Sequence, residues 1–240
     1  MGKDGLTMAY RNPKTLKHAA KGYITVVTIG DSSAAANPAY GTFADTDDGR
    51  LTPWPQVLAK GMQGKKHAWI FYNRAVNGDT LEMMRERFDR DALSLDPDIV
   101  FIAGGGNNCW DTSQEVTGLA AVDMANAAMQ RGIYVIAAPY CGISRAWIDR
   151  MHMTAGRPAA EKEKIYANFR IMQDAFESWG SAHDIPIVDA SRVIALTQNG
   201  YRSDRLRSDF VHPNQSGYDQ IAVLAEGTLY RMLAAMGLEA

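Results

Sequence analysis

The sequence predicts an α/β protein: a single three-layer α/β/α domain on a mostly parallel five-stranded sheet. Three observations point there. Five short apolar runs recur along the chain, each about the length of a buried strand. Segments with helical composition or periodicity separate them. The alternation itself implies βαβ units, whose crossovers make the strands parallel and cover both sheet faces.

The elements follow in chain order. Residues 1–22 carry Lys3, Arg11, Lys14, Lys17 and Lys21 but no apolar run. They read as a polar N-terminal extension without a secretory signal, which places the domain proper at 23–240. A cytoplasmic protein, a mature secreted chain and an excised domain share this pattern, so the compartment stays open. The strands are expected at Tyr23–Ile29, at His67–Phe71 continuing towards Val76, and at Ile99–Ala103, Ile133–Ala138 and Ile185–Val188. Thr80–Leu93 follows Gly78 and Asp79 and reads as a helix. Val116–Arg131 is rich in Ala and Met and stops at Gly132, a helix-ending residue. Ile165, Phe169, Met172, Phe176 and Trp179 recur at steps of four and three, which defines one apolar helix face. The last helix is expected from about Asn214 to Met236, with Tyr218, Ile221, Leu224, Ala225, Leu229, Met232 and Leu233 inward. Two long stretches lack periodicity, Ala34–Pro53 and Pro139–Pro158. Each follows a strand end, where such loops wall a site.

Composition narrows the function. The 240 residues are 46% hydrophobic and 22% charged, enough for a full core without disulfides or a structural metal. With 25 basic and 27 acidic residues the net charge is −2, which argues against a general nucleic-acid binder. The uncharged stretch Gly132–Ser144 is too short to span a bilayer. Two cysteines, Cys109 and Cys141, make neither a disulfide framework nor a four-cysteine zinc site. HExxH and CxxC are absent, so a metal site ranks low.

Four segments carry candidate chemistry. The first strand ends in Gly30-Asp31-Ser32, where a serine just past a strand can point its hydroxyl into the crevice; such residues also cap helices routinely. Near the other end, Asp209-Phe210-Val211-His212 precedes the last helix. Asp and His three residues apart on a turn can lie side by side, so that the carboxylate accepts the Nδ1 proton and Nε2 is left to deprotonate a serine. Gly104-Gly105-Gly106-Asn107-Asn108 follows the third strand. Its glycines permit close backbone approach to a ligand, and an Asn beside them can donate to an oxyanion; a phosphate loop is excluded because no Gly-Lys-Ser/Thr follows. Asn77-Gly78-Asp79 closes the second strand, where a Gly opening a helix offers an unpaired N–H; the alternative is a plain turn with Asp79 as cap.

Together these motifs resemble the SGNH (GDSL) hydrolases over about residues 22–235. The resemblance implies a flavodoxin-like three-layer fold and a carboxylic ester hydrolase that needs no metal or organic cofactor. It puts the nucleophile at Ser32, the aspartate and histidine at Asp209 and His212, and the oxyanion donors at the Ser32 N–H, the Gly78 N–H and the Asn107 amide. Pro97-Asp98-Ile99-Val100 and Trp54-Pro55 are also similar to the family. The chain departs from the family at Asn108, where an Asp usually follows the Asn, and at Ser33, read as a helix-start residue. The glycine run leaves a second register open, with Asn108 as donor. Within the family the substrate is a small-molecule or glycan ester. The polar and aromatic residues of the two long loops (Tyr40, Asp45, Asp48, Arg50; Tyr140, Arg145, Trp147, Asp149) suit a sugar ring better than a long acyl chain and favour a carbohydrate O-deacetylase. A lipid ester or thioester hydrolase is the alternative. A non-catalytic carbohydrate-binding domain on the same scaffold is another. Arg202, Arg205 and Arg207 are either a solvated loop or contacts for an anionic group near His212.

Overall fold

The computed structural model describes residues 10–35, 51–113, 115–195, 203–207 and 209–239. Four parallel strands stand in the order β2-β1-β3-β4: β1 is Tyr23–Gly30, β2 Ala68–Ala75, β3 Ile99–Gly104 and β4 Tyr134–Pro139. The helices are α1 (Ser32–Ala35), α2 (Trp54–Gly61), α3 (Leu81–Asp91), α4 (Leu119–Gln130), α5 (Arg145–Ile148), α6 (Ala159–His183), α7 (Arg192–Ala195) and α8 (Gln215–Ala235). α2 and α8 cover one sheet face, with Trp54 edge-on to Phe101. α3, α4 and α6 cover the other, where Met84 reaches Gly104 and Met172 reaches Gly118.

The central strands are apolar because both of their faces are covered. Ile24, Val26, Val27 and Ile29 in β1 and Ile99 to Ala103 in β3 are fully buried. Burying each large aliphatic side chain contributes about 1.5–3 kcal/mol, so the sheet centre fixes the register that brings the ends of β1, β2 and β3 together.

Three expectations change. The fifth strand, Ile185–Val188, is reduced to one parallel bridge, Ala137 to Ile187. Pro186 has no N–H to donate, so pairing is limited to the Ala137 N–H on the Pro186 carbonyl and the Val188 N–H on the Ala137 carbonyl. β2 is an edge strand, with Ile70 and Tyr72 exposed on one side and Trp69 and Phe71 half-buried on the other. Leu224 of α8 faces solvent, whereas the other six residues expected inward are buried.

Residues 10–22 pack on the domain. Leu16 and Ala19 join the core, and His18 stacks on Tyr23 while its Nδ1 lies 3.1 Å from Asp98 Oδ2. Asp98 is fully buried and accepts the N–H groups of His18 and Thr25. The Asn12 side chain pairs with the backbone of Val135 at the outer edge of β4, accepting its N–H at 2.6 Å and donating to its carbonyl at 2.9 Å.

Candidate active site

β1 ends by turning into α1. The Asp31 side chain caps that helix, accepting the Ser33 N–H at 2.8 Å and the Ser33 hydroxyl at 2.6 Å. A helix start leaves its first N–H groups without intrahelical partners, and the Ser32 N–H is one of them. Asp31 is buried, and that burial pushes its carboxyl above the ordinary range, against the hydrogen bonds from Ser33. Its closeness to β3 explains the first glycine of the Gly-rich run. Gly104 has φ +146°, and a Cβ there would lie 2.7 Å from Asp31 Oδ2 and 2.8 Å from the Met84 methyl. The run thus serves internal packing: a Cβ at Gly106 would lie 3.1 Å from the Tyr140 carbonyl.

Ser32 meets His212 across 180 residues of chain, with Oγ 2.9 Å from Nε2. His212 Nδ1 lies 2.7 Å from Asp209 Oδ2. Asp209 Oδ1 also accepts the N–H of Val211 at 2.8 Å and of His212 at 2.9 Å. Burial raises the Asp209 carboxyl, but the His212 hydrogen bond, its charge and the two N–H bonds outweigh burial and hold it below the usual carboxylate value. The turn between Asp209 and His212 is strained, because Phe210 takes φ +55°. A bulky residue there costs on the order of 1–3 kcal/mol and needs support. Trp147 Nε1 donates to the Phe210 carbonyl at 2.6 Å, and the Tyr140 hydroxyl donates to the Val211 carbonyl at 2.6 Å.

Trp147 is therefore not a sugar-facing wall, whereas Tyr140 borders the cleft beside Ser32 and His212. Trp147 is fully buried and Tyr140 nearly so, and both brace the Asp–His turn. Arg145 pairs with Glu163 and stacks over Tyr166, and Asp149 pairs with Lys162. Tyr40, Asp45, Asp48 and Arg50 of the first loop lie outside the described residues, as does Arg202. Arg205 donates to the Val193 carbonyl at 2.6 Å, and the Arg207 N–H donates to the His212 carbonyl at 2.9 Å.

The two asparagines take different partners. Asn107 lines one small cleft with Ser32 and His212 and donates from Nδ2 to the Asp79 carbonyl at 2.9 Å. An amide carries two N–H groups, so one remains for the cleft. Asn108 is occupied at both ends: Oδ1 accepts the Leu81 N–H and Nδ2 donates to Glu82 Oε2. Gly78 sits in the turn Val76–Asp79 with φ +82°, a conformation natural to glycine. It is not among the residues lining the cleft but adjoins Asp79, on which Asn107 is anchored. Asp79 is not a helix cap; Thr80 is, accepting the Met83 N–H, while Asp79 pairs with Arg87. Cys109 is buried with its thiol on the Gly105 carbonyl, and burial raises its pKa far above the ordinary value. It packs in the core.

This constellation agrees with the comparison to known families: the GDSL-like lipase/acylhydrolase family model matches residues 28–220. The chain belongs to that family. As a GDSL acylhydrolase it is a carboxylic ester hydrolase acting on a small-molecule ester. Solved structures of the same fold include a lipolytic protein of the G-D-S-L family from Desulfitobacterium hafniense (21% identity, TM-score 0.62, covering 85% of this chain and 98% of that one). A lipase/acylhydrolase from Enterococcus faecalis is 19% identical with TM-score 0.60, covering 86% and 95%. The acetyl xylan esterase AlAXEase is 17% identical with TM-score 0.57, covering 86% and 100%. Among curated proteins, none matches the chain. Among the described residues, no group of three or more His, Cys, Asp or Glu could hold a metal, and no helix is long and apolar enough to cross a membrane.

Proposed function

We propose that this GDSL hydrolase is a serine esterase that works through an acyl-enzyme on Ser32, and that its natural substrate is a short-acyl, O-acetylated carbohydrate. The observation that carries the catalytic part is the Ser32 Oγ–His212 Nε2 contact of 2.9 Å, continued at 2.7 Å to Asp209. In this reading Ser32 Oγ attacks the ester carbonyl while His212 takes its proton and Asp209 holds the imidazole tautomer. The oxyanion is held by the Ser32 N–H, the Gly78 N–H and the free Nδ2–H of Asn107. His212 returns the proton to the leaving alcohol, and a water activated by the same residue releases the acid.

Donor assignment has a direct check. Losing one oxyanion donor costs about 10²–10³ in kcat. Asn107→Ala should show that loss, mainly in kcat, and Asn108→Ala should not. Reversed magnitudes in steady-state kinetics would move the donor by one residue.

The acyl part rests on the size of the cleft. The cleft beside Ser32 and His212 is narrow and bordered by bulky apolar side chains. A small cleft favours a short acyl group. Trp110, Ile143 and Phe169 close this space, with Trp110 edge-on to Phe169 at 4.9 Å. The carbohydrate part draws on the acetyl xylan esterase among the structures of similar fold.

A chain-length series tests both. Where a pocket accepts an acyl chain, each buried methylene adds about 0.8 kcal/mol. Here kcat/KM for aryl esters should peak at acetyl or propionyl and fall by butyryl, and acetate release from an acetylated glycan should exceed fatty-acid release from a phospholipid. Rates that climb from acetyl to octanoyl would retire the deacetylase in favour of a lipid ester or thioester hydrolase.

A further inference from the structure

Arg87 lies on the core-facing side of α3, between Met84 and Phe88, with 11% of its side chain exposed. Its donors fan out to four acceptors. Nε donates to Asp79 Oδ2 at 2.7 Å, and Nη1 donates to the Arg74 carbonyl at 2.7 Å and to Asp91 Oδ2 at 3.0 Å. Nη2 donates to the Gly30 carbonyl at 3.3 Å. Two of these acceptors are main-chain carbonyls at the carboxyl ends of β2 and β1, the strand ends that lead into Gly78 and Ser32.

Each group proposed to hold the oxyanion is tied to this one guanidinium. Gly30 is two residues before Ser32. Asp79 adjoins Gly78. The Asp79 carbonyl accepts the Asn107 amide at 2.9 Å. We infer that Arg87 is the positioning residue of the oxyanion site, a single strut that fixes the Ser32 N–H, the Gly78 N–H and the Asn107 amide relative to one another. It touches no substrate and acts through the strand ends and Asp79.

The chemistry of the side chain suits that task. A guanidinium presents five N–H donors in a rigid plane, so it serves diverging acceptors at once; an ammonium is a compact charge on a flexible stem. A brace for α3 alone would need only Asp91, four residues on in the same helix. The bonds to Gly30, Arg74 and Asp79 reach outside the helix, to the segments that carry the site. Oxyanion donors tolerate little displacement, because a misplacement of about 1 Å can cost on the order of 10²-fold in rate.

The inference rests on the esterase reading with Ser32 as nucleophile, and the experiment keeps the two apart. Arg87→Met and Arg87→Lys are compared with the unsubstituted protein on an aryl acetate. A trifluoromethyl ketone, whose adduct with the serine resembles the tetrahedral intermediate, measures oxyanion binding separately. Both variants are expected to lose about 10–100-fold in kcat, with KM changed little, and the ketone should weaken by the same factor as kcat/KM. A folded variant that keeps at least half of the kcat overturns the inference. So does a loss of rate without the parallel loss in ketone affinity, or failure of both variants to fold, since either assigns Arg87 to general stability. An unsubstituted protein that neither turns over the ester nor is labelled at Ser32 by a phosphonate overturns the esterase reading itself, and the role of Arg87 falls with it.

Discussion

Ser32→Ala is expected to lower kcat/KM for an aryl acetate by roughly 10⁴–10⁶-fold while the protein stays folded. The magnitude follows from the unit to which the hydroxyl belongs: removing the nucleophile of a serine–histidine pair costs about as much as removing the whole set. The fold should tolerate the change because Ser32 Oγ bonds only to His212 among the described contacts, and α1 is capped by Asp31 through Ser33. A serine-directed phosphonate should label Ser32 and no other serine, read by peptide mass. Full activity in the alanine variant, or a label elsewhere, would remove Ser32 from the proposal.

The second large effect is at His212. His212→Ala should be as damaging as Ser32→Ala, since without the imidazole the serine has no base. Asp209→Asn should cost no more than that and up to about 10⁴-fold, as loss of the carboxylate frees the wrong tautomer. The pH dependence has a definite sign. His212 must be neutral to act as a base, so kcat/KM should rise, not fall, as the pH rises and the imidazole gives up its proton. Asp209 is held below the ordinary carboxylate value, so it is already ionised there. For stability the sign runs the same way: a carboxyl lowered on folding stabilises above its unfolded value and loses that contribution as the pH falls through the folded one. A flat rate profile from about pH 5 to 9 would contradict a histidine base.

How much of this was legible in the sequence varied with the kind of signal. The runs around Val27, Phe101 and Ile136 declared buried strands because unbroken apolar residues leave few other solutions. Ile185–Val188 looked the same by composition, and the proline inside it decided otherwise through a missing N–H. Ser32, Asp209 and His212 stood out because a turn serine and a DxxH spacing are local patterns. Asn107 and Asn108 were two neighbouring candidates with the same side chain; Asn107 lines the cleft with Ser32 and His212, and Asn108 is not among its lining residues. Arg87 left only a faint trace, a cation on the apolar face of Met84 and Phe88. Two of its partners are backbone carbonyls, which no letter of the sequence represents. Trp147 misled for a related reason: an aromatic residue in a loop carries no mark of whether it faces a ligand or, as here, props up a strained turn.

The Asn12–Val135 pairing bears on self-association. β4 is the last full strand of its sheet, and an open strand edge is a template for another chain. Beyond the short Pro186–Val188 pairing, the Asn12 amide occupies the Val135 N–H and carbonyl much as a neighbouring strand would. Asn12 covers this stretch of the edge, and residues 10–22 are expected to hinder edge-to-edge growth there. Removing them leaves the candidate site in place at the opposite, carboxyl end of the strands, but it also strips Leu16 and Ala19 from the core and the His18 N–H from Asp98, so the shortened protein should be less stable. The shortened protein should also form concentration-dependent oligomers in sedimentation velocity, and a strictly monomeric truncation would deny the segment that role.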